Sequence, residues 1–155
     1  MSPLIRTLTL VLLLLPVVFF ATALVCAAPL AIPGALVAAL YAWAWLRMRP
    51  TRFVVSADAV EVAWPLRRRR IPRAEITAVR RLDAAEVKQE IGFAMRVGVG
   101  GLWGGFGWLW SSQRGVIQMY VSRTDGFVWI ETRDRPWLLT PAEPDRFVRA
   151  LSPSQ

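Results

Sequence analysis

From Thr7 to Leu46 the chain carries no charged side chain, and Arg6 and Arg47 stand just outside on either side. One bilayer crossing takes roughly 20 apolar residues, so this stretch suits two crossings joined by a tight turn. The first apolar run is Leu8 to Ala28, interrupted by Pro16, which a lipid-embedded helix tolerates with a kink. The second is Leu30 to Leu46. Turn chemistry between them is confined to Ala27-Ala28-Pro29 and Ile32-Pro33-Gly34, which places the outer turn near Ala28 to Gly34. Gly34, Ala38 and Ala42 recur at every fourth position, a spacing that lets two membrane helices approach closely. Tyr41, Trp43 and Trp45 gather just before Arg47, Arg49 and Arg52. Aromatics followed by arginines mark a cytoplasmic headgroup boundary, and Arg6 marks the same side for the first run. A cleaved secretory signal is the competing reading of the first run. It fits less well: the apolar core is long for a signal, a second apolar run follows at once, and Val25 is too large to precede a lipoprotein cysteine at Cys26. The expectation is a two-helix transmembrane hairpin over residues 1–50, with both termini cytoplasmic.

After Pro50 the period changes from helical to alternating. Phe53 to Val55 starts a strand, and in Val60 to Trp64 the residues Val60, Val62 and Trp64 point one way while Glu61 points the other. Arg67 to Pro72 and Ile76 to Leu82 follow as further extended segments, and Ala84 to Glu90 is polar, a loop or a turn of helix. Between Gly98 and Trp110 glycines interleave with Trp103, Phe106, Trp108 and Trp110, a density that breaks regular structure. Val116 to Val121, Phe127 to Thr132 and Trp137 to Leu139 are clear strands. Thr140 as N-cap, Pro141 at the first helical position and Glu143 completing a capping box predict a closing helix, with Phe147, Val148 and Leu151 on its apolar face. About seven strands in meander order ending in one helix predict a small curled sheet or open barrel plugged by that helix, over residues 51–155.

Composition narrows the chemistry. The chain has 155 residues and a net charge of +8, with Lys88 as its only lysine and every basic residue except Arg6 at or after Arg47. That excess attracts anionic lipid or nucleic acid, and for a domain held at a bilayer lipid is the nearer polyanion. The positive-inside bias of a cytoplasmic segment accounts for the same charge without any ligand. Histidine is absent and Cys26 is the only cysteine, so an intramolecular disulfide, a His/Cys zinc cluster, a Ser-His-Asp triad and a Cys-His pair are all excluded. No cofactor or metal is expected. A carboxylate-based enzyme stays open.

Two groups stand out as candidate sites. Arg67, Arg68, Arg69 and Arg70 form the densest charge run, suited to gripping lipid phosphates or to a solvated strand edge that deters edge pairing. Trp103, Phe106, Trp108 and Trp110 suit an interfacial anchor or a packed core. Arg6, Trp43, Trp45, Arg47 and Arg49 mark the membrane boundary. Gly98-x-Gly100 lacks the Gly-Lys-Ser/Thr ending of a nucleotide loop, and Glu86 and Glu90 have helical spacing but no partner base.

The segment from Arg52 to Leu151 resembles the bacterial pleckstrin-homology group, in particular its membrane-tethered members with two helices before the domain. The opening strand pair Phe53 to Trp64, the run Arg67 to Pro72, the Arg96-x-Gly98 segment, the strands Val116 to Val121 and Phe127 to Thr132, and the ending Leu139 to Phe147 carry the resemblance. It implies two packed antiparallel sheets capped by a C-terminal helix, and a binding or assembly role. Together with the apolar hairpin and the basic charge, the expected setting is a bacterial inner membrane and the expected partners are membrane lipids, a membrane protein or further copies of the chain; nucleic acid is not expected. A membrane-bound enzyme with an unrecognised acid-base site is the alternative.

Overall fold

The computed structural model describes residues 2–26, 28–100 and 103–152. Ala27, at the expected outer turn, and Gly101 and Leu102, in the glycine–tryptophan segment, lie outside the described residues.

Two apolar helices open the chain. Helix α1 spans Pro3–Val25 and α2 spans Ala31–Arg47, joined through a short 3-10 turn at Ala28–Leu30. Both are long and apolar enough to cross a membrane. At 1.5 Å per residue α1 is roughly 34 Å long, and α2 with its turn roughly 30 Å. The turn is tighter than the sequence suggested. Gly34 lies inside α2 because Pro33 falls at the third helical position, where the first-turn N–H groups have no intrahelical partner to lose. The buried and half-buried positions of α1 include Ile5, Thr9, Leu12, Pro16 and Phe19, and those of α2 and its C-cap include Gly34, Val37, Tyr41, Ala44 and Met48. Both sets alternate steps of three and four, the 3.5-residue repeat of a left-handed helix pair. At Gly34 the helices approach closely: a Cβ there would stand 3.0 Å from Phe19 Cβ. The expected small-residue row of Gly34, Ala38 and Ala42 drifts off this seam, and Ala42 is exposed.

Among the described residues nine strands follow: β1 Arg52–Val55, β2 Ala59–Ala63, β3 Arg68–Pro72, β4 Ile76–Leu82, β5 Ala94–Gly100, β6 Gly105–Ser111, β7 Gly115–Val121, β8 Phe127–Thr132 and β9 Trp137–Leu139. Helix α3 (Ala84–Ile91) lies between β4 and β5, and α4 (Pro144–Leu151) closes the chain. The strands form a three-stranded sheet, β1-β2-β3, and a six-stranded sheet, β4-β8-β9-β7-β6-β5, with only β7 and β9 parallel. One core fills the space between the sheets: Val60, Val62, Trp64 and Ile71 face Phe106, Tyr120, Val128, Ile130, Trp137 and Leu139, with Phe147 and Leu151 of α4 closing one end. A second, smaller core on the opposite face of the large sheet packs Leu109, Ile117, Met119, Trp129 and Leu138 under Val87 and Ile91 of α3.

The two strands beyond the expected seven both come from the glycine–tryptophan segment, which is a β-hairpin and not a loop. Its glycines serve close backbone contact. Gly98 and Gly107 face each other across β5 and β6 at φ 147° and 127°, and an added Cβ would meet Phe106 O at 2.2 Å or Val97 O at 2.6 Å. Helix α3 is a full helix because Asp83 accepts the Ala85 and Glu86 N–H groups at 2.8 Å while Glu86 accepts the Asp83 N–H at 2.7 Å, a complete capping box. Helix α4 starts later than expected. Pro144 takes the first helical position and Glu143 caps without a side-chain bond, while Thr140 is buried and accepts the Ser122 N–H at 2.8 Å. The cap signal at Thr140-Pro141 is spent on tying β9 to the end of β7.

Candidate functional site

The expected arginine site is built on β3 and the turn before it. A strand sends successive side chains to opposite faces, so Arg68, Arg69 and Arg70 of β3 cannot act as one cluster. Arg67 lies 4.4 Å over the Trp64 ring and Arg69 lies 4.6 Å over the Trp137 ring, both as cation–π pairs on the core side. Arg69 also reaches the Gln118 side-chain oxygen at 3.4 Å. Gln118 in turn donates to Tyr120 Oη at 3.0 Å and to Gly107 O at 2.9 Å. Burial pushes the Tyr120 phenol above its usual range, and Arg67 and Arg69 pull against that rise. Arg70, on the outer face, pairs with Asp58 at 2.9 Å. Arg68 is exposed and has no ion pair among the described residues.

The β2–β3 turn is tied to the end of α2. Trp64 Nε1 donates to Met48 O at 3.0 Å, and the Thr51 N–H and hydroxyl both bond Ala63 O, at 2.7 and 2.9 Å. These bonds leave the linker after α2 little freedom. They enclose an open cavity of about 420 Å³ whose lining includes Thr51, Arg52, Trp64, Leu66, Arg67 and Arg68. Leu66 stands exposed at the tip of the turn between these cations. Arg49 stacks 4.1 Å over Trp45 on the same side of the helix exit. Trp43, Trp45, Arg6 and Arg47 are exposed at the same end of the helix pair.

The aromatic group divides. Trp103 and Phe106 are 8 % and 1 % exposed and belong to the core between the sheets, so their side chains do not face a bilayer. Trp103 meets Trp45 edge-on, with ring centroids 4.7 Å apart, and its N–H donates to the buried Thr9 hydroxyl of α1 at 2.9 Å. Trp103 adopts φ 58°, the left-handed region, which this clasp stabilises. Trp108 and Trp110 are half exposed. The register pairs Trp108 with Val97 and Trp110 with Met95 and Val116, so one face of the β5 edge presents an apolar strip that ends at Phe93. Alternation explains the division: Phe106, Trp108 and Trp110 share a face, and the small sheet covers only its Phe106 end.

The acid pair Glu86 and Glu90 is taken up separately. Glu86 serves the α3 cap. Glu90 is bridged by Arg80 and Arg114, which also approach Glu131 at 3.7 and 3.5 Å. Burial raises the Glu90 pKa, but the bonds from Arg114 and Arg80 outweigh it and hold the carboxyl below its ordinary value. A general acid at neutral pH needs the opposite shift, so this quartet reads as a clasp of α3 onto the sheet.

A family model described as Bacterial PH domain matches residues 51–154, which cover both sheets, the arginine turn and α4. The chain belongs to this family. No curated protein and no solved structure matches it. Bacterial PH domains are binding modules in general, and the arrangement here is of that kind: basic and aromatic side chains on open surfaces over filled cores. Sequence reasoning missed Thr9 and the structural partners Trp137 and Gln118. Thr9 is a single hydroxyl in an apolar run, with no local pattern to mark it.

Proposed function

We propose that this bacterial PH domain is a non-catalytic binding module anchored in the bacterial inner membrane. In this reading the helix pair (residues 1–50) crosses the bilayer with both termini in the cytoplasm, and the β domain (residues 51–155) lies against the inner leaflet. The β2–β3 turn then contacts anionic headgroups, with Leu66 dipping toward the acyl region and Arg52, Arg67 and Arg68 around it. The observation that carries this reading is the Trp64–Met48 hydrogen bond of 3.0 Å, which holds that turn one bond away from the residue following α2. Each arginine near an anionic surface contributes on the order of 1 kcal/mol. The test uses the full chain in nanodiscs of mixed anionic and zwitterionic lipid, with retained lipid counted by native mass spectrometry. The R67Q/R68Q variant should lose enrichment of the anionic lipid; enrichment equal to that of the unaltered chain rejects the headgroup role.

A second reading, a protein partner or a second copy of the chain, is favoured by the apolar strip Phe93, Met95, Val97, Trp108, Trp110 and Val116 on the unpaired β5 edge. A contiguous exposed patch with a free strand edge is a typical protein contact. Cysteine cross-linking through a V97C variant in intact membranes distinguishes the two, since a lipid-only module gives no cross-linked protein.

A further inference from the structure

On the far side of the large sheet from the arginine turn lies an apolar cavity of about 750 Å³, unclaimed by either reading above. Its floor includes Leu109, Met119 and Leu138; one wall is Val87 and Ile91 of α3, and the other is Ile5 and Leu8 of α1. The volume falls within the roughly 300–1,000 Å³ usual for small-molecule sites. Its charged lining is entirely basic: Lys88, Arg96 and Arg123. Arg123 pairs with Asp125 at 2.9 Å, whereas Lys88 and Arg96 have no ion pair among the described residues. Glycine makes room for Arg96: a Cβ on Gly100 or Gly105 would lie 2.9 or 3.1 Å from its guanidinium nitrogen. Leu8 is two residues past Arg6, at the start of the uncharged stretch, so the α1 wall of the cavity continues into the apolar helix.

We propose that this cavity takes one acyl chain of an anionic phospholipid from the same leaflet, with the headgroup phosphate held by Lys88 and Arg96. The inference rests on the membrane-anchored reading. An apolar floor matches the chain, the two cations without ion pairs match the phosphate, and the position beside α1 matches a ligand arriving laterally from the bilayer. Phospholipid is preferred to free fatty acid because it is the amphiphile that a headgroup-level opening meets in greatest abundance.

The test places the full chain in nanodiscs doped with phosphatidylglycerol or phosphatidylcholine carrying a photoreactive diazirine on one acyl chain. Cross-linked peptides are mapped by mass spectrometry. Phosphatidylglycerol should label α3 and β7 in addition to α1, on the order of tenfold more than phosphatidylcholine does at those two elements. The surface variant K88Q/R96Q should remove that preference while labelling of Leu10 to Leu15 persists. L109W, which fills the cavity, should abolish labelling of β7. Labelling confined to α1 and α2 overturns the cavity and leaves the anchor standing, whereas no labelling at any position overturns the anchor itself. Equal labelling by both lipids in K88Q/R96Q and in the unaltered chain overturns the phosphate role. Labelling of α3 and β7 by a diazirine fatty acid but not by phosphatidylglycerol overturns the phospholipid assignment.

Discussion

Replacing Thr9 by valine isolates the bond that joins α1 to the β domain. Valine has nearly the shape of threonine, so packing is kept and only the hydroxyl is lost. That hydroxyl accepts the Trp103 N–H at 2.9 Å and donates to Ile5 O at 2.7 Å. The Ile5 carbonyl keeps its bond within the helix, but the Trp103 N–H is left buried with no acceptor. An orphaned buried donor costs about 1–3 kcal/mol, which multiplies the local opening equilibrium by roughly 5–150. Trp103 adds its own contribution, since φ 58° is a left-handed conformation worth roughly 1–3 kcal/mol of strain in a residue other than glycine. Once the N–H is unpaired, that strain favours release. The assay is amide hydrogen exchange on the full chain in nanodiscs, comparing the Trp103 amide with the central amides of β7. T9V should speed exchange at Trp103 by at least fivefold and leave β7 unchanged, and T9S should behave as the unaltered chain. If exchange at Trp103 in T9V stays within about twofold of the original, the bond does not hold the hairpin and the clasp is wrong.

Glycine substitutions in β6 and β7 should separate by backbone environment. G107A puts a Cβ at 2.6 Å from Val97 O on a positive φ and should unfold the β5–β6 hairpin, whereas G115A meets no atom within 4 Å and should cost only about 1 kcal/mol in thermal melts. Glu90 gives a pH test. Its folded pKa lies below the ordinary glutamate value of about 4.3, so the stability it contributes is complete above that value and is lost as pH falls toward the lower folded value. E90Q should therefore be less stable than the original at pH 7 and show a flatter loss between pH 4.3 and the folded pKa, as followed by urea unfolding. W64F removes the donor to Met48 O while keeping an aromatic core residue; cross-linking between a cysteine at Leu66 and a lipid headgroup probe should fall, and an unchanged yield would show that the turn is held by packing alone.

Much of the fold was visible in the pattern of residues. The uncharged stretch and its arginine borders gave the two helices, and period-two alternation gave seven of the strands. The β5–β6 hairpin is hidden because glycine at this density reads as a breaker. Gly98 and Gly107 are needed where two strands come too close for a Cβ, and Phe106, Trp108 and Trp110 already alternate as strand residues do. The reading of Ala84 to Glu90 as a loop or a turn of helix leaves out the capping box of Asp83 and Glu86, which makes α3 a full helix. The single cap signal at Thr140-Pro141 misplaces the start of α4, because the Thr140 hydroxyl is taken up by the tertiary bond from the Ser122 N–H and the helix begins at Pro144. At the arginine turn, alternation alone separates Arg67 and Arg69 from Arg68 and Arg70. Which aromatic rings the first two cover depends on how the sheets pack, and no local pattern carries that.

The helix pair and the β domain share one core, and this bears on how the proposed membrane-facing surface would work. Ala44 of α2 is 2 % exposed and sits in the same cluster as Trp64, Trp103 and Tyr120, while Leu12, Tyr41 and Met48 pack against it. Tyr41 Oη bonds Leu12 O at 3.1 Å, joining α1 and α2 just above that cluster. A domain on a loose linker would give up rotational freedom each time its arginines met a phosphate. Here that freedom is already lost on folding, because the Trp64–Met48 and Trp103–Thr9 bonds fix the domain to the helices on two sides. Preorganisation of this kind lets weak individual contacts add without a further ordering cost. It follows that loosening the docking should weaken headgroup contact even with every arginine intact. T9V measured by the nanodisc lipid-retention assay should therefore lose part of the anionic enrichment that R67Q/R68Q loses. Full retention in T9V would mean that the arginines find the leaflet on their own and that the shared core has no part in binding.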